Sequence, residues 1–235
     1  MRKYLSLLSL FVFFGCSELQ QIANQYPQLN TIGNADIGLG LKEALNNGIA
    51  KQVSKLTATD GFFKNEAVKI LLPPELQKVD KTLRSLGMGN LADEGLKVLN
   101  RSAEVAVKEA TPIFINSIKS ITFNDAKTIL LGNDSAATNY LQNSTTTALY
   151  QKFSPVVQSS LGKVGADKVW ASIISKYNSI PLVNKVNPDL NDYVTNKALE
   201  GVFKMIAVEE KNIRTKLSSR TSGLLQQVFA IQDKK

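Results

Sequence analysis

The chain has 235 residues, 28 Lys and Arg against 20 Asp and Glu, a formal charge of +8, one cysteine and no histidine. The missing histidine excludes Ser-His-Asp and Cys-His nucleophiles, His-ligated zinc and helical His-Glu metal motifs, and a single cysteine excludes an internal disulfide. The basic surplus comes from lysines scattered among acids, with no dense Lys/Arg block interleaved with aromatics, so no nucleic acid partner and no cofactor is expected, and a mild attraction to anionic lipid is its natural use.

At the N-terminus, Arg2 and Lys3 precede an uncharged run from Tyr4 to Phe14. That run is far short of the roughly 20 residues a spanning helix needs, and with its basic start it reads as an export signal over residues 1–15. The sequence Phe13-Phe14-Gly15-Cys16 resembles a bacterial lipobox, which implies cleavage before Cys16 and acylation of its sulfur and new amino group. Phe13 and Phe14 stand where Leu and a small residue are usual. The competing reading, an ordinary signal with a stray cysteine, leaves a lone thiol in an oxidising compartment. Ser17 follows the cysteine where, by analogy with enteric sorting, Asp would retain a lipoprotein at the inner membrane. The expected address is therefore the cell envelope, lipid-anchored at the outer membrane of a Gram-negative bacterium, on a face that stays open.

Residues 16–35 comprise the lipidated cysteine and a polar, Gln- and Asn-rich tether with Pro27 and Gly33. From Asp36, an N-cap residue type, Leu41, Leu45, Ile49, Val53 and Leu56 recur at steps of four, four, four and three and predict a first amphipathic helix, weakened by Gly38, Gly40 and Gly48. A loop at Asp60-Gly61 presents Phe62 and Phe63. Pro73-Pro74 then starts a helix with Leu76, Val79, Leu83 and Leu86 on one face, ended by Gly87-Met88-Gly89. Asn90 to Ala110 winds with Leu91, Ala92, Leu96, Leu99, Ala103 and Ala106 inward and Lys97, Arg101, Glu104 and Lys108 outward. Pro112 opens a short helix through Ile113, Phe114 and Ile118, and Thr122-Phe123-Asn124-Asp125 begins another that ends at Gly132. Asn133 or Asp134 caps a long segment to about Phe153, which Pro155 kinks or restarts. Further helices fit Asp167 to Asn178 around Trp170, Ile173 and Ile174, and Thr221 to Ile231.

Between those two lies the most apolar helix, about Leu190 to Arg214. Ala198, Leu199, Val202, Phe203, Met205, Ile206, Ala207 and Val208 cover most of its circumference, so other helices must wrap it. Lys197, Glu200 and Lys204 form one narrow solvent stripe, with Glu200 and Lys204 spaced for an ion pair. No period-two run of β-branched residues and no internal repeat appears, so the expected fold class is all-α: a single compact multi-helix domain over residues 36–231, around a central buried helix at about 190–214.

Few constellations carry chemistry. Gly38-Leu39-Gly40 and Gly87-Met88-Gly89 lack the lysine and the strand of a phosphate loop. Asp93-Glu94 and Glu209-Glu210 are adjacent carboxylates that point 100° apart on a helix and read as exposed surface charge. Arg214 and Arg220 are placed to form an ion-pair cluster with Glu209 and Glu210 that locks the end of the central helix. Asn124-Asp125 and Asn133-Asp134 match no calcium loop, so no metal site is expected. The remaining candidates lie on the helix from about Ser135 to Phe153. Centring its apolar arc on Ala137, Tyr140, Leu141 and Ala148 brings Ser144 and Gln151 inside the arc and Thr147 to its edge. Tyr140, Ser144, Thr147 and Gln151 are therefore candidate ligand-binding residues on a polar-floored pocket against the central helix, unless they are satisfied locally.

Several stretches resemble the bacterial family of domain of unknown function 4197. These are Pro74-Glu75-Leu76 through Leu86-Gly87-Met88-Gly89, Leu99-Asn100-Arg101, Thr122-Phe123-Asn124-Asp125-Ala126 with Ile129-Leu130 and Gly132, and Ala136-Ala137-Thr138-Asn139-Tyr140. Lys176-Tyr177-Asn178, Asp192-Tyr193-Val194-Thr195 through Ala198-Leu199-Glu200-Gly201, Glu209-Glu210, Ile213-Arg214 and Arg220-Thr221 with Leu224-Leu225 continue the series in order. The resemblance implies one helical domain, commonly exported and often lipidated, in Gram-negative bacteria, and carries no activity.

The resulting expectation is an envelope lipoprotein without enzymatic activity that binds an apolar ligand or an envelope protein at the membrane surface. The alternative is a His-free, carboxylate-based hydrolase acting on cell-wall material. Lipidation has a direct consequence: Cys16→Ala abolishes labelling by an alkynyl fatty acid and leaves the signal uncleaved or differently cleaved, and normal processing of that variant overturns it.

Overall fold

The computed structural model describes residues 33–73, 89–163, 165–168 and 189–233, with single positions at 77, 81, 84, 85, 87, 171, 175, 178, 179, 181, 182, 185 and 187. The expected signal, Cys16, most of the tether, the Pro74–Leu86 helix and the segment around Trp170 lie outside the described residues. Among the described residues there are seven α-helices and no strand, and no helix is long and apolar enough to cross a membrane.

The first helix, α1 (Asn34–Thr57), follows its four-residue apolar row, with Leu41, Leu45, Ile49, Val53 and Leu56 all buried. Of its glycines, Gly40 allows close packing. A Cβ on Gly40 would stand 2.6 Å from Val228 Cγ2, so glycine there lets α7 (Gly223–Gln232) approach. α2 (Gly89–Ala106) runs through a single 3₁₀ turn at Val107–Glu109 into α3 (Ala110–Ser120). α4 (Phe123–Leu130) starts on the expected capping box: Thr122 Oγ1 accepts from Asp125 N, and the Asp125 carboxylate accepts from Thr122 N at 2.9 Å. Those bonds hold the Asp125 carboxyl below the usual carboxylate range.

α5 (Ala136–Gly162) continues through Pro155, so the proline does not restart the helix. Proline removes the N–H that would have bonded the carbonyl of Gln151 and crowds that carbonyl, and Gln151 lies on the exposed side of the helix. The inward row supplies the continuity: Leu141, Thr145, Leu149, Phe153, Val157 and Leu161 are all buried at steps of four. Burial on both sides of the proline holds the helix together across it.

α6 (Leu190–Thr215) is the central helix, packed most extensively against α5 and also against α1 and α2. Asp189 caps it by accepting from Asp192 N. Val194, Ala198, Val202, Phe203, Ile206 and Ile213 are buried, and Phe203 meets Phe114 of α3 edge-on at 6.0 Å between ring centres. Two details differ from the sequence reading. Val208 is 46% exposed rather than wrapped, and Glu200 pairs with Lys197 at 2.6 Å rather than with Lys204. Tyr150 of α5 donates to Asp192 of α6 at 2.6 Å, and this bond to a carboxylate pushes its phenol up to about 12.

Gly201 governs how the loop after α1 packs on α6. A Cβ there would lie 2.7 Å from Cε1 of Phe62, a ring with no solvent exposure. Gly201→Ala gains helix propensity but forces a buried ring to move, and the overpacking prevails. The expected outcome is a loss of about 1 kcal/mol or more in urea unfolding. A more stable variant shows that the ring yields freely.

Candidate functional site

The four candidates on α5 do not face the central helix. Ser144, Thr147 and Gln151 are exposed and Tyr140 is half-buried, because the inward row contains Thr138 and Thr145 whereas Ala148 points outward. The buried threonines carry their own partners: Thr145 Oγ1 donates to Leu141 O at 2.5 Å, and Thr138 Oγ1 donates to Glu210 at 2.7 Å. Ala137 and Leu141 of the expected arc are buried, and including Tyr140 and the exposed Ala148 turned it toward Ser144 and Gln151. Ser144 instead sits against α3, its hydroxyl 2.7 Å from that of Ser117 and bonded to Tyr140 O. Of the adjacent carboxylates, Asp93 and Glu94 are exposed as expected. Asp93 bonds Arg84, which holds its carboxyl below the usual range, and Glu94 lies 3.7 Å from Lys97.

Glu209 and Glu210 are not surface charges; both are buried. Their 100° divergence sends them to different elements. Glu209 accepts from Lys51 at 2.6 Å and Gln52 at 2.7 Å on α1. Glu210 accepts from the backbone N–H groups of Ala137 and Thr138 at 2.9 and 2.8 Å, so it caps the N-terminus of α5, where Ser135 makes no side-chain cap. Arg214 donates to Glu210, to the carbonyls of Ile129 and Leu130 at the end of α4, and to Gln232 of α7. Arg220 donates to Ile213 O and Arg214 O at the end of α6 and pairs with Asp233, whose carboxyl it holds below the usual range. Of the expected cluster only the Arg214–Glu210 pair forms, because Glu209 turns to Lys51 and Arg220 pairs with Asp233. Beside it lies a cavity of about 30 Å³ among Leu41, Leu45, Ala137, Ile206 and Phe229, about the size of one water.

Glu104 also reverses expectation. Placed outward by the sequence reading, it is buried and accepts from Phe62 N at 3.1 Å and from Arg101. One turn earlier, buried Asn100 donates to Ile70 O at 2.9 Å and accepts from Ile70 N at 2.8 Å, as a neighbouring strand would. Arg101 reaches back to Asp60 at 2.7 Å. Asp60 bonds Lys64, then Arg101, and its carboxyl lies below the usual range. These side chains hang residues 60–72 from α2. The signal was their position at the edge of the Leu99–Ala103–Val107 face, about 100° and 140° from Leu99.

The hung segment forms one wall of a groove of about 520 Å³ whose other wall is the Tyr193–Lys204 face of α6. Val68 and Ile70 turn into the core, Leu71 is 56% exposed, and Tyr193 donates to Leu71 O at 2.8 Å. Lys69, Lys197, Glu200 and Lys204 line it. None of the candidates on α5 lines either concavity. Among the described residues no cluster of three or more His, Cys, Asp or Glu is placed to hold a metal ion.

Removing Glu210 strands two helix N–H groups and a buried guanidinium at once. Glu210→Ala is expected to cost about 3–5 kcal/mol in urea unfolding. Glu200→Ala, which removes an exposed pair, stays within about 1 kcal/mol. Equal effects of the two substitutions contradict this assignment.

Comparison with curated proteins and with solved structures gives no match. A family model does match, over residues 31–230, so the same segment that folds into α1 to α7 makes the chain a member of the family described as protein of unknown function (DUF4197).

Proposed function

We propose that this protein is an envelope lipoprotein, anchored through acyl chains on Cys16 at the outer membrane, whose helical domain binds a protein partner through the groove between residues 67–72 and α6. The observation that carries this reading is the contrast between the two concavities. The smaller one, of about 30 Å³, is an order of magnitude below the roughly 300 Å³ at which small-molecule pockets begin, which disfavours carriage of an apolar ligand there. The groove, of about 520 Å³, is open along its length and mixes apolar side chains with charge, as the rim of a protein-binding surface does. A carboxylate-based hydrolase needs two carboxyl groups facing each other across a cleft. Glu200 is the one acid among the described lining residues, and it is paired with Lys197. The buried Glu104, Glu209 and Glu210 are each engaged by two or more donors in the fold.

The reading is tested in intact cells with a photo-crosslinking amino acid placed singly at Leu71, at Lys204 and, as a control on an exposed face outside the groove, at Lys127. The expected result is an adduct with the same envelope protein from Leu71 and Lys204 that is absent from Lys127. The same set of adducts from all three positions, or none from the two groove positions, overturns it.

A further inference from the structure

The groove is unevenly charged. Lys69 stands on the 67–72 wall and Lys197 and Lys204 on α6, against Glu200 as the one acid among the described lining residues. None of these ammonium groups is buried in a strong pair. Lys197 is bonded to Glu200 with 40% and 63% of the two side chains exposed, an arrangement that a competing carboxylate readily displaces. Lys69 lies 3.8 Å from Glu66, itself 86% exposed, and its position is fixed by the Phe63 ring, 5.1 Å from the ammonium. Lys204 is exposed.

The spacing of these groups favours an elongated occupant. Lys197 and Lys204 are two turns apart on one uninterrupted helix, so they project from the same side with their bases about 10 Å apart along the axis. They are spread along the groove rather than gathered round one point, as a phosphate or lipid headgroup would require. Same-face residues of an extended chain lie about 7 Å apart at i, i+2 and about 13 Å at i, i+4, spacings on either side of that separation and within reach of long lysine side chains. The facing wall leaves a turn closed by the N–H groups of Val68 and Lys69 on Asn65 O, with buried Val68 and Ile70 alternating with half-buried Lys69 and exposed Leu71, and Asn100 takes both backbone groups of Ile70.

We propose that the groove docks an extended acidic segment of the partner protein, its carboxylates on Lys197, Lys204 and Lys69 and an apolar side chain against Leu71. This rests on the groove being the partner-binding site. Carboxylates spaced along such a segment replace the Lys197–Glu200 and Lys69–Glu66 pairs one for one.

The test uses the full-length protein in detergent and a fluorescein-labelled ten-residue peptide of alternating Glu and Val, followed by anisotropy. Peptides with Gln or Lys in place of Glu, and vesicles containing phosphatidylglycerol, are the comparison probes. The acidic peptide is expected to bind at least about 10-fold more tightly than the Gln peptide, with the preference shrinking as salt rises. The double variant Lys197→Glu and Lys204→Glu is expected to lose that preference, the corresponding double Arg variant to keep it, and both to retain the parent's thermal unfolding. Equal binding of Glu and Gln peptides, alongside groove crosslinks in cells, overturns the acidic specificity and leaves the docking site standing. Charge-dependent binding to vesicles with no peptide preference overturns it in favour of a membrane surface. Absence of both peptide binding and groove crosslinks overturns the docking site itself.

Discussion

Two helix ends meet at one buried ion pair. A helix leaves its first N–H and last C=O groups without partners, and when those ends are buried something other than water must satisfy them. Glu210 accepts from the start of α5, Arg214 donates to the end of α4, and the two are bonded to each other at 2.8–2.9 Å. Each charge also has the sign that the local helix dipole favours, negative at an N-terminus and positive at a C-terminus. With side-chain exposures of 6% and 1%, neither would tolerate this environment alone, and it is the surrounding backbone groups that make the pair tolerable. Arg220 repeats the device one turn later for the end of α6 itself. The C-terminal turns of the central helix therefore fix where α4 stops and α5 begins.

This division explains what could be read from the sequence. Elements declared by local chemistry were legible: the four-residue row from Leu41 to Leu56, the Thr122–Asp125 capping box, and the apolar circumference of α6. What was hidden is capping supplied from a distance. Nothing near Ser135 announces that the cap of α5 comes from a residue 73 positions away, and nothing near Ile70 announces Asn100. Glu209 and Glu210 did carry a trace: at 100° per residue they flank the Ile206–Ile213 row by about 60° and 40°, well inside an apolar arc. Their charge argued for the surface, and the argument failed because enough donors converge on them to repay desolvation. On α5 the opposite error arose. Thr138 and Thr145 are as buried as leucine because each hydroxyl is bonded, while the exposed Ser144 and Gln151 were assigned inward.

The groove was not legible because neither wall exists in isolation. The 67–72 side is too short and irregular to be assigned as an element, and its course is held by Asn100 and Tyr193. The α6 side was read correctly as a narrow polar stripe, but a polar stripe becomes a wall only when a second surface stands opposite. Both sides depend on interior packing. Phe62 and Val68 nest against Gly201, which brings the segment close to α6, and Glu104 holds the loop from behind through Phe62 N.

Because those contacts are core contacts, the groove is shaped before any partner arrives. A wall fixed by a fully buried phenylalanine and a buried Asn100 has already lost the conformational entropy that a mobile loop would give up on binding. Preorganisation of this kind raises affinity without adding a contact. The lysines on its surface remain in exposed pairs that contribute little to stability, so their charges stay available for exchange. On the proposed function, stability and recognition use different charges in the same helix. The pair sealed inside, Glu210 and Arg214, holds helix ends, and the stripe left outside, Lys197 to Lys204, faces whatever enters the groove.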